Sequence, residues 1–128
     1  MAEKLIPEND LEILLVKVQQ GKIDFVDFFK FFMSAEIFVP SASEVMPDGS
    51  GMSPLLFEKN GDQILGVFSS LSRVSLFKGQ ADYCLSMKGR ELIARLPAGY
   101  GIVVNPGFDK GFDVPPSGIK KILRDFDS

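Results

Sequence analysis

The sequence contains no histidine and no tryptophan, and it contains only one cysteine among 128 residues. Histidine is the side chain most used for acid–base chemistry at neutral pH, so Ser-His-Asp and Cys-His catalytic arrangements are excluded. The usual ligands of zinc and other transition metals are missing for the same reason. We therefore predict a protein that is not an enzyme and that needs neither a cofactor nor a metal.

The single cysteine, Cys84, excludes an intramolecular disulfide and fits a reducing compartment. The first seven residues lack the basic start and apolar run of an export signal. No stretch approaches the ~20 consecutive apolar residues that span a bilayer. We expect a cytoplasmic protein without membrane contact, and we expect Cys84 to be a buried, unreactive strand residue.

Positive charge is also scarce, with 14 Lys and Arg against 17 Asp and Glu, for a net charge of −3. Binding to duplex nucleic acid requires a cluster of cations that displaces condensed counterions. The densest basic stretch, Lys120, Lys121 and Arg124, lies on a predicted helix and is interpreted as a solvated face. We expect no nucleic-acid partner.

Phenylalanine is abundant, with 12 residues in a chain that is 45% hydrophobic. A chain of this length buries roughly two-thirds of the surface that it would expose when unfolded. This burial predicts a single domain over residues 1–128, held together by an aromatic core without disulfides.

Apolar residues three and four apart predict two helices near the N-terminus. Asn9 or Asp10 caps the first helix, and Gly21 ends it. Asp24 caps the second helix, which carries an apolar stripe formed by Phe25, Phe28, Phe29 and Phe32. Because Phe31 lies off this stripe, the second helix is apolar on more than one side.

Strand patterns and turn residues dominate the remainder of the chain. Asn60-Gly61 between two apolar runs predicts a hairpin, and Pro40 is expected to end a strand over 37–39. Residues 41–54 are rich in Gly, Pro and Ser and are expected to form a disordered loop. Short helices are predicted over 71–77, over 91–96 and after Ser117. The predicted order is α, α, β, β-hairpin, α, β, α, β, β, α. It indicates an α+β fold with a mixed sheet of about five strands and short helices packed on it.

Three stretches carry a family resemblance. They are Ala35-Glu36-Ile37-Phe38-Val39-Pro40, Ile64-Leu65-Gly66-Val67-Phe68-Ser69-Ser70, and Gly101 to Gly107 followed by Gly111-Phe112-Asp113-Val114-Pro115-Pro116. Over roughly residues 9–126 the chain resembles the N-terminal domain of the SseB family, named for enhanced serine sensitivity. The resemblance implies a bacterial, cytoplasmic protein without a known catalytic residue.

The missing catalytic groups favour a protein-interaction or regulatory domain, such as an immunity-type or secretion-associated protein. Exposed aromatic and Met side chains suit protein contact, so we predict a partner surface that contains Phe28, Phe31, Met46 and Met52. The partner is an unidentified protein, which a negatively charged domain would attract if that protein were basic. A homodimer is a further option.

The alternative is a domain that binds a small molecule of the amino-acid type. Turns after central strands often line ligand sites, and Asn105-Pro106-Gly107 with Phe108 forms such a turn. Arg73 or Arg90 would supply a cation. The simpler interpretation of Asn105-Pro106-Gly107 is a tight turn alone. An enzyme that uses only carboxylates, Lys, Tyr or Ser is a third alternative.

Overall fold

The computed structural model describes residues 3–48, 50–75, 79 and 81–126, with the side chain of residue 126 excepted. The described elements follow the predicted order. They are α1 (Asp10–Gln19), α2 (Phe25–Ser34), β1 (Glu36–Ser41), β2 (Leu56–Lys59), β3 (Asp62–Val67), α3 (Leu71–Val74), β4 (Tyr83–Lys88), α4 (Gly89–Arg95), β5 (Tyr100–Val104), β6 (Phe112–Val114) and α5 (Pro116–Phe126).

The α+β class is confirmed, but the described strands number six and fall into two sheets. One sheet has the order β2-β3-β5-β6, in which β3 and β5 are parallel and the other pairs are antiparallel. The second sheet is the antiparallel pair β1-β4. Phe38 and Phe68 connect the sheets by two backbone hydrogen bonds of 2.9 and 2.8 Å.

Pro40 lies inside β1 and does not end it, contrary to the sequence-based prediction. Phe38 directs its N–H and C=O toward Phe68, away from β4. Backbone groups alternate between the two edges of a strand, so the nitrogen of Pro40 also faces away from β4. The missing N–H therefore costs no hydrogen bond in the β1-β4 ladder, which explains why the strand continues to Ser41.

The core is built around the phenylalanines of α2. Phe28 and Phe29 are each 1% exposed and Phe32 is fully buried. The ring of Phe112 on β6 meets that of Phe28 edge-on, with centroids 5.3 Å apart. The prediction that Phe28 contributes to a partner surface is therefore wrong, because Phe28 belongs to the stripe that faces the core.

Two helix starts differ from the predicted ones. Helix α4 begins at Gly89, two residues earlier than predicted, and α5 begins at Pro116. Ser117 therefore lies within α5 and is not its cap. Proline suits the first helical position, where an N–H would have no partner inside the helix. The predicted apolar residue Phe77 lies outside the described residues.

The stretch between β1 and β2, which we expected to be disordered, is closed at its base by hydrogen bonds. The Ala42 N–H donates to the Ser53 carbonyl at 2.7 Å, and the Ser53 N–H donates to the Ser41 hydroxyl at 2.9 Å. The Met46 N–H donates to the Ser50 carbonyl at 2.8 Å. In the described part of the chain, no helix is long and apolar enough to cross a membrane.

Candidate functional site

The predicted ligand residues Arg73 and Asn105 converge on a buried polar cluster. We call this group, made of Glu12, Ser69, Arg73 and Asn105, the Asn105 cluster. Its members come from the first turn of α1, the segment between β3 and α3, α3 itself and the turn after β5. All four residues are buried, and Glu12 is completely inaccessible to solvent.

Arg73 and Glu12 form the charged half of the cluster. The Nε and one terminal nitrogen of Arg73 donate to the two carboxylate oxygens of Glu12, at 3.1 and 2.7 Å. The same terminal nitrogen donates to the Ile6 carbonyl at 2.5 Å, and the guanidinium lies 5.5 Å from the ring centre of Phe108. This two-point geometry is the strongest form of an arginine–carboxylate contact.

Burial alone would raise the pKa of Glu12, because it disfavours the ionised form. Hydrogen bonds from Arg73, Ser69 and the Glu8 backbone outweigh this effect, and the pKa of Glu12 is lowered from its usual value of 4.5. The hydrogen bond to Glu12 in turn raises the pKa of Arg73. Both groups are therefore ionised at neutral pH.

Ser69 and Asn105 form the neutral half of the cluster. The Ser69 hydroxyl donates to Glu12 at 2.5 Å, and the Ser69 N–H donates to the side-chain oxygen of Asn105 at 3.0 Å. The Asn105 amide donates back to the Ser69 hydroxyl at 2.9 Å. Asn105 has a φ of +60°, which asparagine tolerates better than most residues. Asn105 thus links the ends of two parallel strands.

The N-terminal segment covers the turn that contains Pro106 and Gly107. The Glu3 N–H donates to the Gly107 carbonyl, and the Asp109 N–H donates to the Glu3 carbonyl, both at 2.8 Å. The Leu5 N–H donates to Asp109 at 2.8 Å. The N-terminal segment therefore packs on the turn, and the buried polar side chains of the Asn105 cluster have hydrogen-bond partners within the chain. Arg90, the other predicted cation, is exposed on α4.

Glu12 and Ser69 were missed by the sequence analysis. Glu12 stands three residues after Asn9, whose side chain accepts the Glu12 N–H at 2.9 Å. This spacing is the helix-start pattern in which an acidic side chain reaches back toward the preceding backbone. The Glu8 N–H does donate to Glu12, at 2.9 Å. The Asn9–Glu12 spacing could have identified Glu12 as a side chain with hydrogen-bond partners at the start of α1.

A second feature of the surface is an apolar groove of about 600 Å³. It lies between the two sheets and is bordered by α4 and by the 42–53 loop. Its lining is mostly apolar and consists of Val39, Val45, Met52, Pro54, Leu56, Leu65, Leu85, Met87, Leu92, Leu96 and Pro97, with Asp48, Arg95 and Tyr100 as its polar members. We call this feature the apolar groove.

The apolar groove remains partly open because its rim residues are not covered. Leu56 is 44% exposed, whereas Leu85, Met87 and Met52 are half-buried. Arg95 makes a long ion pair with Glu91, at 3.8 Å. Asp48 accepts hydrogen bonds from the Ser50 hydroxyl and N–H, and these lower the pKa of Asp48.

The remaining predicted surface residues are divided between the groove and other positions. Met52 lines the apolar groove, and Met46 lies in the adjoining loop with 43% of its surface exposed. Phe31 is 37% exposed on α2 and does not line the groove. The structure thus does not gather Phe31, Met46 and Met52 into one site.

Cys84 is exposed, contrary to the prediction of a buried thiol. It lies on β4, which pairs only with β1 among the described strands. Desolvation raises the pKa of the Cys84 thiol, outweighing a hydrogen bond from the Val39 backbone. A raised pKa disfavours the thiolate, which is the nucleophilic form of Cys84. In the described part of the chain, no group of three or more Cys, Asp or Glu side chains could hold a metal ion.

Comparison with known proteins identifies the family of this chain. The family model described as "SseB protein N-terminal domain" matches residues 11–121. No curated protein and no solved structure matches the chain. Because the match covers most of the sequence, this chain belongs to the SseB family and contains its N-terminal domain.

Proposed function

We propose that this chain is a non-enzymatic interaction domain that recognises another protein through the apolar groove. The observation that carries the proposal is the groove itself, an open surface depression lined mostly by apolar side chains. Contiguous exposed apolar surface is uncommon on monomeric proteins and marks interaction sites. A bacterial, cytoplasmic setting and a regulatory, immunity-type or secretion-associated role belong to the same proposal.

The side chains of the groove suit contact with a protein. Met52 and Met87 are flexible and polarisable, so they can adapt to a partner's apolar side chains. Leu56 already exposes 44% of its surface and would bury it on binding. Burial of such side chains provides most of the favourable free energy in protein association.

A small apolar ligand is the second candidate, and it would occupy the same groove. The volume of about 600 Å³ falls within the range of about 300–1,000 Å³ typical of ligand pockets. Arg95, which is 67% exposed in its side chain, could hold an acidic group of such a ligand. In this second candidate, the ligand site is the apolar groove and not the Asn105 turn at which the sequence analysis predicted it.

The proposal is tested by placing a photo-reactive amino acid at Leu56 and, as a matched control, at Leu71. Leu71 is 59% exposed on α3 but does not line the groove. In the native host, illumination should give one discrete protein adduct from position 56 and none from position 71. Excess unlabelled wild-type chain should suppress the adduct, whereas excess Leu85→Asp chain should not.

The result that would overturn the proposal is equal, diffuse labelling from both positions, or no adduct from position 56. Native mass spectrometry of the chain purified from the host separates the second candidate. A small molecule retained by the wild type and lost from Leu85→Asp would favour ligand binding over protein recognition.

A further inference from the structure

The outer edge of β4 has unpaired backbone groups. Ile37, Val39 and Ser41 face β4, because the alternate residue Phe38 bonds to Phe68 on the other side of β1. The Gly89 N–H, which donates to the Ala35 carbonyl at 3.0 Å, continues the same ladder. The β4 residues that point their N–H and C=O groups away from β1 are therefore Cys84, Ser86 and Lys88. Lys88 is also the N-cap residue of α4, so its C=O belongs to the first turn of that helix. Cys84 and Ser86 have no second strand beside them, and no described turn or loop residue forms a backbone hydrogen bond with either.

The same strand lines the apolar groove. Side chains alternate between the two faces of a strand, and Leu85 and Met87 are the β4 residues that line the groove. A strand added beside β4 would therefore place every second side chain on the groove face. The backbone edge and the apolar groove together match the requirements of strand addition, in which main-chain hydrogen bonds give affinity and pockets select side chains.

Uncompensated positive charge marks one end of this edge. Lys88 ends β4 and Arg90 lies in the first turn of α4, and neither forms an ion pair within the described part of the chain. Glu36 is opposite Lys88 in register but makes no ion pair with it. Among the described residues, Arg95 forms an ion pair with Glu91 alone, at 3.8 Å. A partner that complements this end carries acidic side chains.

We propose that the apolar groove receives an extended partner segment that pairs with β4 as an added strand. The segment carries apolar side chains at alternate positions, and its acidic residues lie beside Lys88 and Arg90. This inference rests on the proposed function and specifies the partner's conformation and charge.

The test uses two dye-labelled peptides, each with three Val-Thr pairs and two acidic residues. One peptide has the acidic residues at its N-terminal end and the other has them at its C-terminal end, so that they represent the two possible strand orientations. Fluorescence anisotropy with the full chain should detect saturable binding of one orientation. Replacing the acidic residues with lysines should weaken binding at least tenfold. In a peptide paired with β4, the N–H groups of every second residue face β4. N-methylation of these N–H groups should therefore weaken peptide binding at least tenfold. N-methylation of the other set should change it less than twofold.

On the protein, Ser86→Pro removes an outward N–H that the β1 ladder does not use, and Ser86→Ala is the matched control. We expect at least a tenfold loss of peptide affinity for Ser86→Pro and less than a twofold change for Ser86→Ala. Circular dichroism confirms that each variant is folded. If Ser86→Pro does not fold, the N-methylated peptides alone decide the question.

Three results would overturn strand addition: no saturable binding of either peptide, equal sensitivity to both N-methylation sets, or dimerisation of the chain through β4. Sedimentation velocity detects the last of these, because Ser86→Pro would then convert a dimer to a monomer. If neither peptide binds but position 56 still gives a discrete adduct, only the binding of the partner as an added strand is rejected. Absence of that adduct would reject the proposed function itself.

Discussion

Two arginines show how the Asn105 cluster differs from the apolar groove. The side chain of Arg73 is 10% exposed and donates to both oxygens of Glu12 and to the Ile6 carbonyl. The side chain of Arg95 is 67% exposed, and its one ion pair in the described part of the chain is a 3.8 Å contact with Glu91. The hydrogen-bonding capacity of Arg73 is used within the fold, whereas that of Arg95 is largely left for another molecule.

The two arginines indicate that a concentration of polar residues does not by itself mark a binding site. A buried ion pair is expensive to form and costly to break, so its members act as structural partners. The groove has the opposite character, because its exposed apolar side chains gain free energy only when something covers them. Replacements in the Asn105 cluster should therefore change stability, and replacements in the groove should change binding.

The largest expected effect follows from Arg73→Leu. The substitution leaves the Glu12 carboxylate buried without its cation, and we expect it to lower the free energy of unfolding by about 3–5 kcal/mol. Urea denaturation followed by circular dichroism measures the change. The double replacement Glu12→Leu/Arg73→Leu should cost less than the sum of the single ones.

Arg90→Leu is the matched control, since Arg90 is exposed and has no ion pair in the described part of the chain. We expect it to change the free energy of unfolding by less than about 0.5 kcal/mol. Equal costs for the substitutions at positions 73 and 90 would contradict the structural role assigned to the Asn105 cluster.

Asn105→Ala should have the next largest effect on stability. It leaves the buried Ser69 N–H without an acceptor, at a cost of about 1–3 kcal/mol. A non-glycine residue at the positive φ of position 105 adds about 1 kcal/mol, so Asn105→Gly should be less damaging than Asn105→Ala. Thermal and urea unfolding of the three proteins measure both differences.

The control for Asn105 is Asn60, which has a φ of +55° in the exposed turn between β2 and β3. Asn60→Gly removes no buried hydrogen bond and should leave stability nearly unchanged. A large loss from Asn60→Gly, or none from Asn105→Gly, would show that the hydrogen bonds to Ser69 are not what position 105 contributes.

Acid should weaken the Asn105 cluster through Glu12. The folded-state pKa of Glu12 is lowered from 4.5, so between the folded and unfolded pKa values the unfolded chain binds more protons. The stabilisation is complete above the unfolded pKa and is lost as the pH falls through the folded one. We therefore expect the unfolding free energy of the wild type to fall more steeply below about pH 5 than that of Glu12→Gln.

Glu8 provides the control for this pH dependence. The hydrogen bonds of Glu8 with Ser72 and Ser70 also lower its pKa, but Glu8 is exposed. Glu8→Gln should retain most of the wild-type acid dependence. If Glu8→Gln flattens the curve as much as Glu12→Gln does, the acid sensitivity arises from the N-terminal segment and not from the buried pair.

Sequence periodicity predicted the order of every helix and strand described. The helical spacing of Phe25, Phe28 and Phe29 and the turn at Asn60-Gly61 depend on local geometry, which neighbouring residues determine. The pairing of Arg73 with Glu12 spans 61 positions and has no local signal of comparable strength. The sequence predicted that either Arg73 or Arg90 would lie near Asn105, and it did not indicate that the polar groups of Arg73 and Asn105 were already occupied.

The apolar groove could not be predicted for a related reason. It depends on the pairing of β1 with β4 and on the position of that pair beside the larger sheet. The exposure of Cys84 could not be predicted either, because the alternation of side chains along β4 does not reveal that β4 is an edge strand. Strand partners, more than strand positions, determine where this protein has an open surface.

The smallest expected change in stability comes from Leu56→Glu in the groove. Leu56 is 44% exposed, so we expect the free energy of unfolding to change by less than about 0.5 kcal/mol. The same substitution places a charge on the apolar groove and should weaken binding of the acidic-apolar peptide at least tenfold. Leu71→Glu, at an exposed leucine outside the groove, should leave both properties unchanged. If Leu56→Glu keeps full affinity for the peptide, the apolar groove is not the recognition site. The Asn105 cluster and the apolar groove would then differ only in how much they contribute to stability.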